Sequence, residues 1–167
     1  MTGTGYNRRP PGTMRGDHLL EELVHDPYHS KSKLRAPAVC GECHAVFVRG
    51  RWQWGEVPDG AEATTCPACA RIRDKVAAGF VSLGGEFFRE HHDEIMHLVD
   101  HRVAHENAEH PLKRLMGTET LGDRLVLSFT DPHLAAGVGH ALHAAYKGDL
   151  AIDYQKGEYM VRVTWER

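Results

Sequence analysis

The stretch Cys40–Cys69 reads CGECHAVFVRGRWQWGEVPDGAEATTCPAC and contains all four cysteines of the 167-residue chain. The cysteines form two Cys-x-x-Cys pairs separated by 22 residues. Each such turn directs two thiolates at one ion, and two turns complete the four-sulfur tetrahedron that zinc prefers. A closed set of four ligands leaves no position open for a substrate. The spacing therefore predicts one structural Zn²⁺ held by Cys40, Cys43, Cys66 and Cys69.

Two other uses of these cysteines are a pair of disulfides and a redox-active Cys-x-x-Cys. Disulfides need an oxidising compartment, and the first residues, MTGTGYNRRP, lack the apolar core of a secretory signal. A redox pair needs one motif at the start of a helix in a βαβ unit, which two paired motifs do not resemble. No apolar run approaches the roughly 18 residues of a membrane span. We therefore expect a cytoplasmic zinc protein that does not bind membranes.

Charge is distributed unevenly along a chain whose formal net charge is only -3. Residues 1–51 contain eight Lys and Arg against five Asp and Glu, whereas residues 52–116 contain seven against eleven. A partner that carries phosphates would meet the positive end of the chain. A solvated basic tail that only keeps the chain soluble is the alternative explanation.

Composition and patterning divide the chain into three segments. Residues 1–36 are rich in Gly, Pro, Arg, His and Ser and are predicted to form a flexible basic arm. Residues 37–78 are predicted to form a zinc ribbon, with strands at 45–48 and 51–54 turning at Arg49-Gly50 and a short helix at 71–78. Residues 79–167 are predicted to form a separate α+β domain.

Basic and aromatic side chains are concentrated in the arm and the ribbon. Arginine pairs with phosphate and tryptophan stacks on bases, and a ribbon is too thin to bury both of its faces. Packing of the tryptophans against the cysteine turns or the next domain is the alternative. We predict RNA contacts by Lys31, Lys33, Arg35, Arg49, Arg51, Trp52, Arg71 and Arg73.

The last 89 positions alternate between strand and helix patterns. Strands are predicted at 80–83, 112–118, 124–130, 150–154 and 159–165, with helices at 86–107 and from Asp131-Pro132 to Gly148. Gly137 and Gly139 each cost the second helix about 1 kcal/mol, so close packing on a sheet or approach of a backbone partner should offset them. The order β-α-β-β-α-β-β predicts a ferredoxin-like split βαβ plan with an added strand, built as an antiparallel sheet with two helices.

Three histidines repeat every four residues along the first of these helices, at His97, His101 and His105. At about 100° per residue, His97 and His101 lie opposite Phe88 and beside the acidic residues Glu90 and Glu94. This is the solvent face of the helix, so we predict no specific metal site there.

Several segments accompany the two Cys-x-x-Cys pairs: Gly50-Arg51-Trp52, Asp93-Glu94-Ile95, Glu109-His110-Pro111-Leu112, 131–150 and 159–165. With this set of segments the chain resembles the small bacterial proteins labelled as NMD proteins affecting ribosome stability and mRNA decay, whose zinc-bearing part is similar to the archaeal and eukaryotic adaptor for large-subunit export. The resemblance covers about residues 26–167.

What the resemblance implies is association with the ribosome and its rRNA, on the large subunit, in ribosome stability, quality control or hibernation. The alternative is a protein–protein adaptor that uses the acidic helical face without RNA contact. An enzyme or metal-handling protein built on the histidines is a third hypothesis. The chain has no Gly-rich phosphate loop, no G-x-S-x-G and no H-E-x-x-H, so we expect neither catalysis nor a small-molecule substrate.

Overall fold

A computed structural model describes residues 26–29 and 34–167, which form nine strands and four helices in an α+β arrangement. The first elements are β1 (Ala38–Cys40), β2 (Val46–Val48), β3 (Arg51–Gln53), β4 (Glu62–Thr64) and α1 (Pro67–Asp74), which we call the ribbon. The remaining elements, which we call the larger unit, are β5 (Gly79–Gly84), α2 (Glu86–Glu90), α3 (His92–Glu109), β6 (Leu115–Leu121), β7 (Arg124–Phe129), α4 (Pro132–Tyr146), β8 (Asp149–Tyr154) and β9 (Val161–Glu166). Most of the predicted arm lies outside the described residues.

The ribbon is a four-stranded sheet in the order β3-β2-β1-β4. The predicted hairpin is present as β2 and β3, with Val48 paired to Arg51 across a two-residue loop. Both loop residues, Arg49 and Gly50, have positive φ angles of 55° and 79°. Two central residues of positive φ are what a type I′ hairpin turn requires.

Helix α1 starts earlier than the sequence predicted. It runs from Pro67 to Asp74 rather than over 71–78. Cys66 is its N-cap and Pro67 occupies the first turn, where the missing N–H of proline costs nothing. Lys75 ends the helix in the left-handed conformation, so no glycine is needed at this end. The second cysteine pair is therefore part of a helix start.

The larger unit is built on a five-stranded sheet in the order β6-β7-β5-β9-β8. Strand β5 pairs antiparallel with β7 but parallel with β9, so the sheet is mixed and the predicted purely antiparallel sheet is wrong. Strand β9 separates β5 from β8, which a plain split βαβ plan would place side by side. Strand β9 pairs with both β5 and β8, and its side chains Val161, Val163 and Trp165 are buried in the core. Strand β8 carries exposed aspartates, which suit an edge strand.

Helices α3 and α4 pack together over one face of this sheet. The predicted first helix is broken at His91, which has φ -115° and ψ 25°, into α2 and α3. Its expected apolar face is confirmed, because Phe88, Ile95 and Val99 join the core of the larger unit. Helix α4 starts as predicted, with the Asp131 carboxylate accepting from Leu134 N at 2.8 Å.

Close packing accounts for one of the two glycines inside α4. A Cβ atom on Gly139 would lie 2.6 Å from Val163 Cγ1 and 3.0 Å from Leu150 Cδ1. A Cβ atom on Gly137 would instead meet only Arg102, at 3.5 Å or more. The absence of a side chain at 139 thus lets α4 approach β8 and β9.

Candidate metal centre

The pairing of β1 with β4 brings the two cysteine turns together. These strands are parallel, and their register places Cys40 beside Thr64, two residues before Cys66. Cys40 ends β1, Cys43 follows in the turn, and Cys66 and Cys69 occupy the N-cap and first turn of α1. All four Sγ atoms lie within 4.8 Å of one another. The four thiols are therefore close enough to hold a metal ion.

The sulfur geometry fits a single tetrahedral ion. Sulfurs about 2.3 Å from a tetrahedral ion are about 3.8 Å apart. The Cys43 and Cys66 Sγ atoms are 3.7 Å apart, and none of the four cysteines forms a disulfide. Backbone N–H groups also point at the sulfurs: Cys66 N donates to Cys40 Sγ at 3.3 Å and Cys69 N to Cys66 Sγ at 3.4 Å. Donors of this kind stabilise thiolates, the form in which cysteine binds metal.

Burial and backbone amide donors shift the pKa values of these thiols in opposite directions. Burial raises the pKa of Cys66 and of Cys69. At Cys40 burial also raises the pKa, but hydrogen bonds from the backbone of Cys43, Cys66 and Glu42 outweigh it and lower the pKa to about 7. The amide donors thus favour the thiolate form of Cys40, and a bound cation would favour loss of the other protons.

A side chain from the larger unit reaches the cluster. Arg114 Nη1 donates to Cys69 Sγ at 3.4 Å and Nη2 donates to Cys66 Sγ at 3.5 Å. Burial lowers the pKa of Arg114, but the hydrogen bond to Cys69 and the charges of three cysteines raise it overall. Leu112 also packs against the apolar cluster that contains Cys40, Cys66 and Cys69. Sequence reasoning missed Arg114, because nothing in the neighbouring sequence marks it as a partner of cysteines 45 and 48 positions away.

The histidine ladder does not form a second cluster. His97, His101 and His105 are exposed along α3, as predicted. Among the residues that the structure describes, the four cysteines are the one group of three or more His, Cys, Asp or Glu ligands close enough for a metal ion.

The predicted RNA-contacting residues fall into three groups. Lys31 and Lys33 lie outside the described residues. Arg35, Arg49, Arg51 and Arg73 are exposed. Trp52 and Arg71 are only 8% and 2% exposed, and we withdraw them from the predicted surface.

The two buried side chains are occupied inside the molecule. Trp52 packs against Phe47 with ring centroids 5.4 Å apart and belongs to the apolar cluster of the ribbon. The Arg71 guanidinium forms an ion pair with Asp26 and lies 4.4 Å from the centre of the Tyr28 ring. Trp52 therefore packs against the cysteine turns, which was the alternative to RNA contact in the sequence analysis. Trp54 is more exposed, but its Nε1 donates to Asn107 O at 2.6 Å and joins the ribbon to α3.

Across 26–29 and 34–167, no helix combines the length and apolar character needed to cross a bilayer. Comparison of the chain with protein-family models, curated proteins and solved structures gave no match.

Proposed function

We propose that this chain is a non-enzymatic zinc protein of the cytoplasm that associates with the ribosome by binding rRNA. The large subunit is the proposed location, and ribosome stability, quality control or hibernation the proposed role. The choice of the ribosome follows the resemblance of the motifs described above. Exposed arginines on the surface of the ribbon support RNA as the binding partner.

Zinc is the proposed metal because all four ligands are cysteine sulfurs. A tetrahedral site of four thiolates suits zinc, whereas magnesium and calcium prefer oxygen ligands. The ion would be structural, since four protein ligands leave it no open position. In a ribbon this small, metal binding would supply much of the folding free energy.

The observation that carries the RNA proposal is the pair of arginines at the hairpin tip. Arg49 and Arg51 are exposed, and neither forms a salt bridge or a side-chain hydrogen bond with any described residue. Of the nine other arginines among the described residues, five have an acidic or sulfur partner: Arg71, Arg73, Arg102, Arg114 and Arg124. Free guanidinium groups on a rigid loop are suited to phosphate oxygens, which they can bind with two hydrogen bonds.

The test is sedimentation of the tagged, zinc-loaded protein from cell lysate through sucrose gradients at low and high salt. The wild-type chain should migrate with large subunits or ribosomes at low salt and dissociate at high salt, because phosphate contacts release counterions. Replacing Arg49 and Arg51 together by alanine should move the protein toward the top of the gradient. A matched control replaces Arg89 and Lys156, two exposed cations of the larger unit, by alanine.

The outcomes separate the two main hypotheses. Loss of co-migration in the hairpin variant alone supports the proposal. Equal co-migration of wild type and hairpin variant would remove the hairpin from the interface. A wild-type protein that remains at the top of the gradient at every salt concentration would refute ribosome binding and favour the adaptor hypothesis, in which the acidic residues of α3 meet a protein partner.

A further inference from the structure

Arg114 is held in place by the segment that leads into β6. Its Nε donates to Pro111 O at 2.9 Å, and its backbone N donates to Thr130 Oγ1 at 2.8 Å. Thr130 is buried, and its hydroxyl in turn donates to Leu112 O at 2.6 Å. The hydrogen bond to Pro111 O orients the guanidinium independently of the sulfurs, so its two N–H groups meet them at little further entropic cost.

The segment that holds Arg114 includes the motif Glu109-His110-Pro111-Leu112, for which the sequence alone gave no physical role. The Pro111 carbonyl fixes the guanidinium, and Leu112 packs on the apolar cluster of the ribbon. The motif therefore contacts the cysteine cluster through Leu112 and holds Arg114 through Pro111.

Charge gives this contact a chemical consequence. Four thiolates around a divalent cation have a formal charge of -2, and the cluster is largely buried. Among the described residues, Arg114 is the one cationic side chain with a hydrogen bond to these sulfurs. Charge-assisted hydrogen bonds withdraw electron density from thiolate sulfur and reduce its reactivity toward electrophiles.

We infer that Arg114 donates hydrogen bonds to the metal-bound thiolates of Cys66 and Cys69. These bonds protect the thiolates from electrophiles and bind the larger unit to the metal-loaded ribbon. Arg114 acts through the cysteines and is a positioning residue. The inference depends on occupation of the cluster by a metal and is independent of RNA binding.

The test measures zinc release from the full-length zinc-loaded protein during alkylation by iodoacetamide, followed with a chromogenic chelator. Arg114→Met removes both donors at similar side-chain length and should accelerate release by about tenfold, the effect expected for loss of a charged hydrogen bond. Arg114→Lys keeps the charge but offers a less suitable donor geometry and should give an intermediate rate. Arg124→Met is the control, because Arg124 pairs with Glu166 and has no contact with the cysteines.

A second readout distinguishes electronic protection from simple loosening of the fold. In the cobalt-loaded protein, loss of the N–H donors should move the sulfur-to-metal charge-transfer band to lower energy, which loosening alone would not do. If Arg114→Met fails to fold, the same shift, smaller in size, is expected in Arg114→Lys. Wild-type release rates and an unmoved band in the folded Arg114 variants would overturn the inference, as would an equal effect of Arg124→Met.

Discussion

Replacing Gly139 by alanine should destabilise the larger unit, whereas the same change at Gly137, two residues earlier in α4, should stabilise it. Both positions lie inside the helix, where alanine is favoured over glycine by about 1 kcal/mol. The difference lies in what the new methyl group meets. At 139 it would lie 2.6 Å from Val163 Cγ1, whereas at 137 the nearest atom is Arg102 Nη2 at 3.5 Å.

The magnitude follows from how little Val163 can move. Val163 is 1% exposed, it lies on the interior strand β9, and its branched side chain has few alternative rotamers. Overpacking of such a site costs about 1–3 kcal/mol, which exceeds the helix-propensity gain. We therefore expect Gly139→Ala to lose about 1 kcal/mol and Gly137→Ala to gain between about 0.5 and 1 kcal/mol.

The assay is urea unfolding of the zinc-loaded protein, followed by far-UV circular dichroism. A difference of about 2 kcal/mol between the two variants corresponds to midpoints about 1 M apart for a domain of this size. Equal midpoints for the two variants, or a Gly139→Ala protein more stable than wild type, would refute the argument that α4 needs a bare backbone to approach β9.

Three further predictions concern the helix cap, the metal centre and one ion pair. Asp131→Ala removes the cap on Leu134 N and should cost about 1 kcal/mol in the same unfolding assay, whereas Asp131→Asn should cost much less. Cys66→Ser should reduce the metal content, measured by atomic absorption, from one ion per chain to none. The same variant should lose hydrogen-exchange protection in the ribbon but not in the larger unit. Retained protection in the ribbon would contradict a structural metal. The hydrogen bond from Lys113 lowers the pKa of Glu106 in the folded protein. The pair therefore stabilises the fold above the unfolded-state pKa of about 4.3. This contribution is lost as the pH falls through the lower folded-state pKa. Glu106→Gln should therefore unfold more easily than wild type at pH 7 by about 0.5 kcal/mol and equally easily near pH 2; a difference that persists in acid would contradict this account.

The local elements of this protein could be predicted because their signals are short in range. The Cys-x-x-Cys pairs, the turn at Arg49-Gly50, the cap at Asp131 and the alternation of Val161, Val163 and Trp165 each depend on residues a few positions apart. The boundary of α1 was predicted wrongly because a cysteine was treated only as a ligand, although Cys66 also caps the helix.

The arrangement of the elements could not be predicted in the same way. Alternation shows that β8 and β9 form a hairpin but does not show which strand lies inside, and burial of Trp165 settles the order only once the sheet exists. The solvent exposure of individual side chains could not be predicted either. Arg71 and Arg73 are two residues apart in α1, yet Arg71 is buried against Asp26 and Arg73 is exposed to solvent. Charge alone does not reveal such differences.

The interior position of β9 affects how the chain can fold during synthesis. Strand β5 needs a partner on each side, and one of them, β9, follows about 80 residues later. Until that strand leaves the ribosome, one edge of β5 has unpaired backbone groups flanked by Val81 and Leu83, the kind of edge that invites pairing with another chain. The ribbon, complete by Asp74, has no such delay, and its four cysteines can come together to hold a metal ion while the larger unit is still being made.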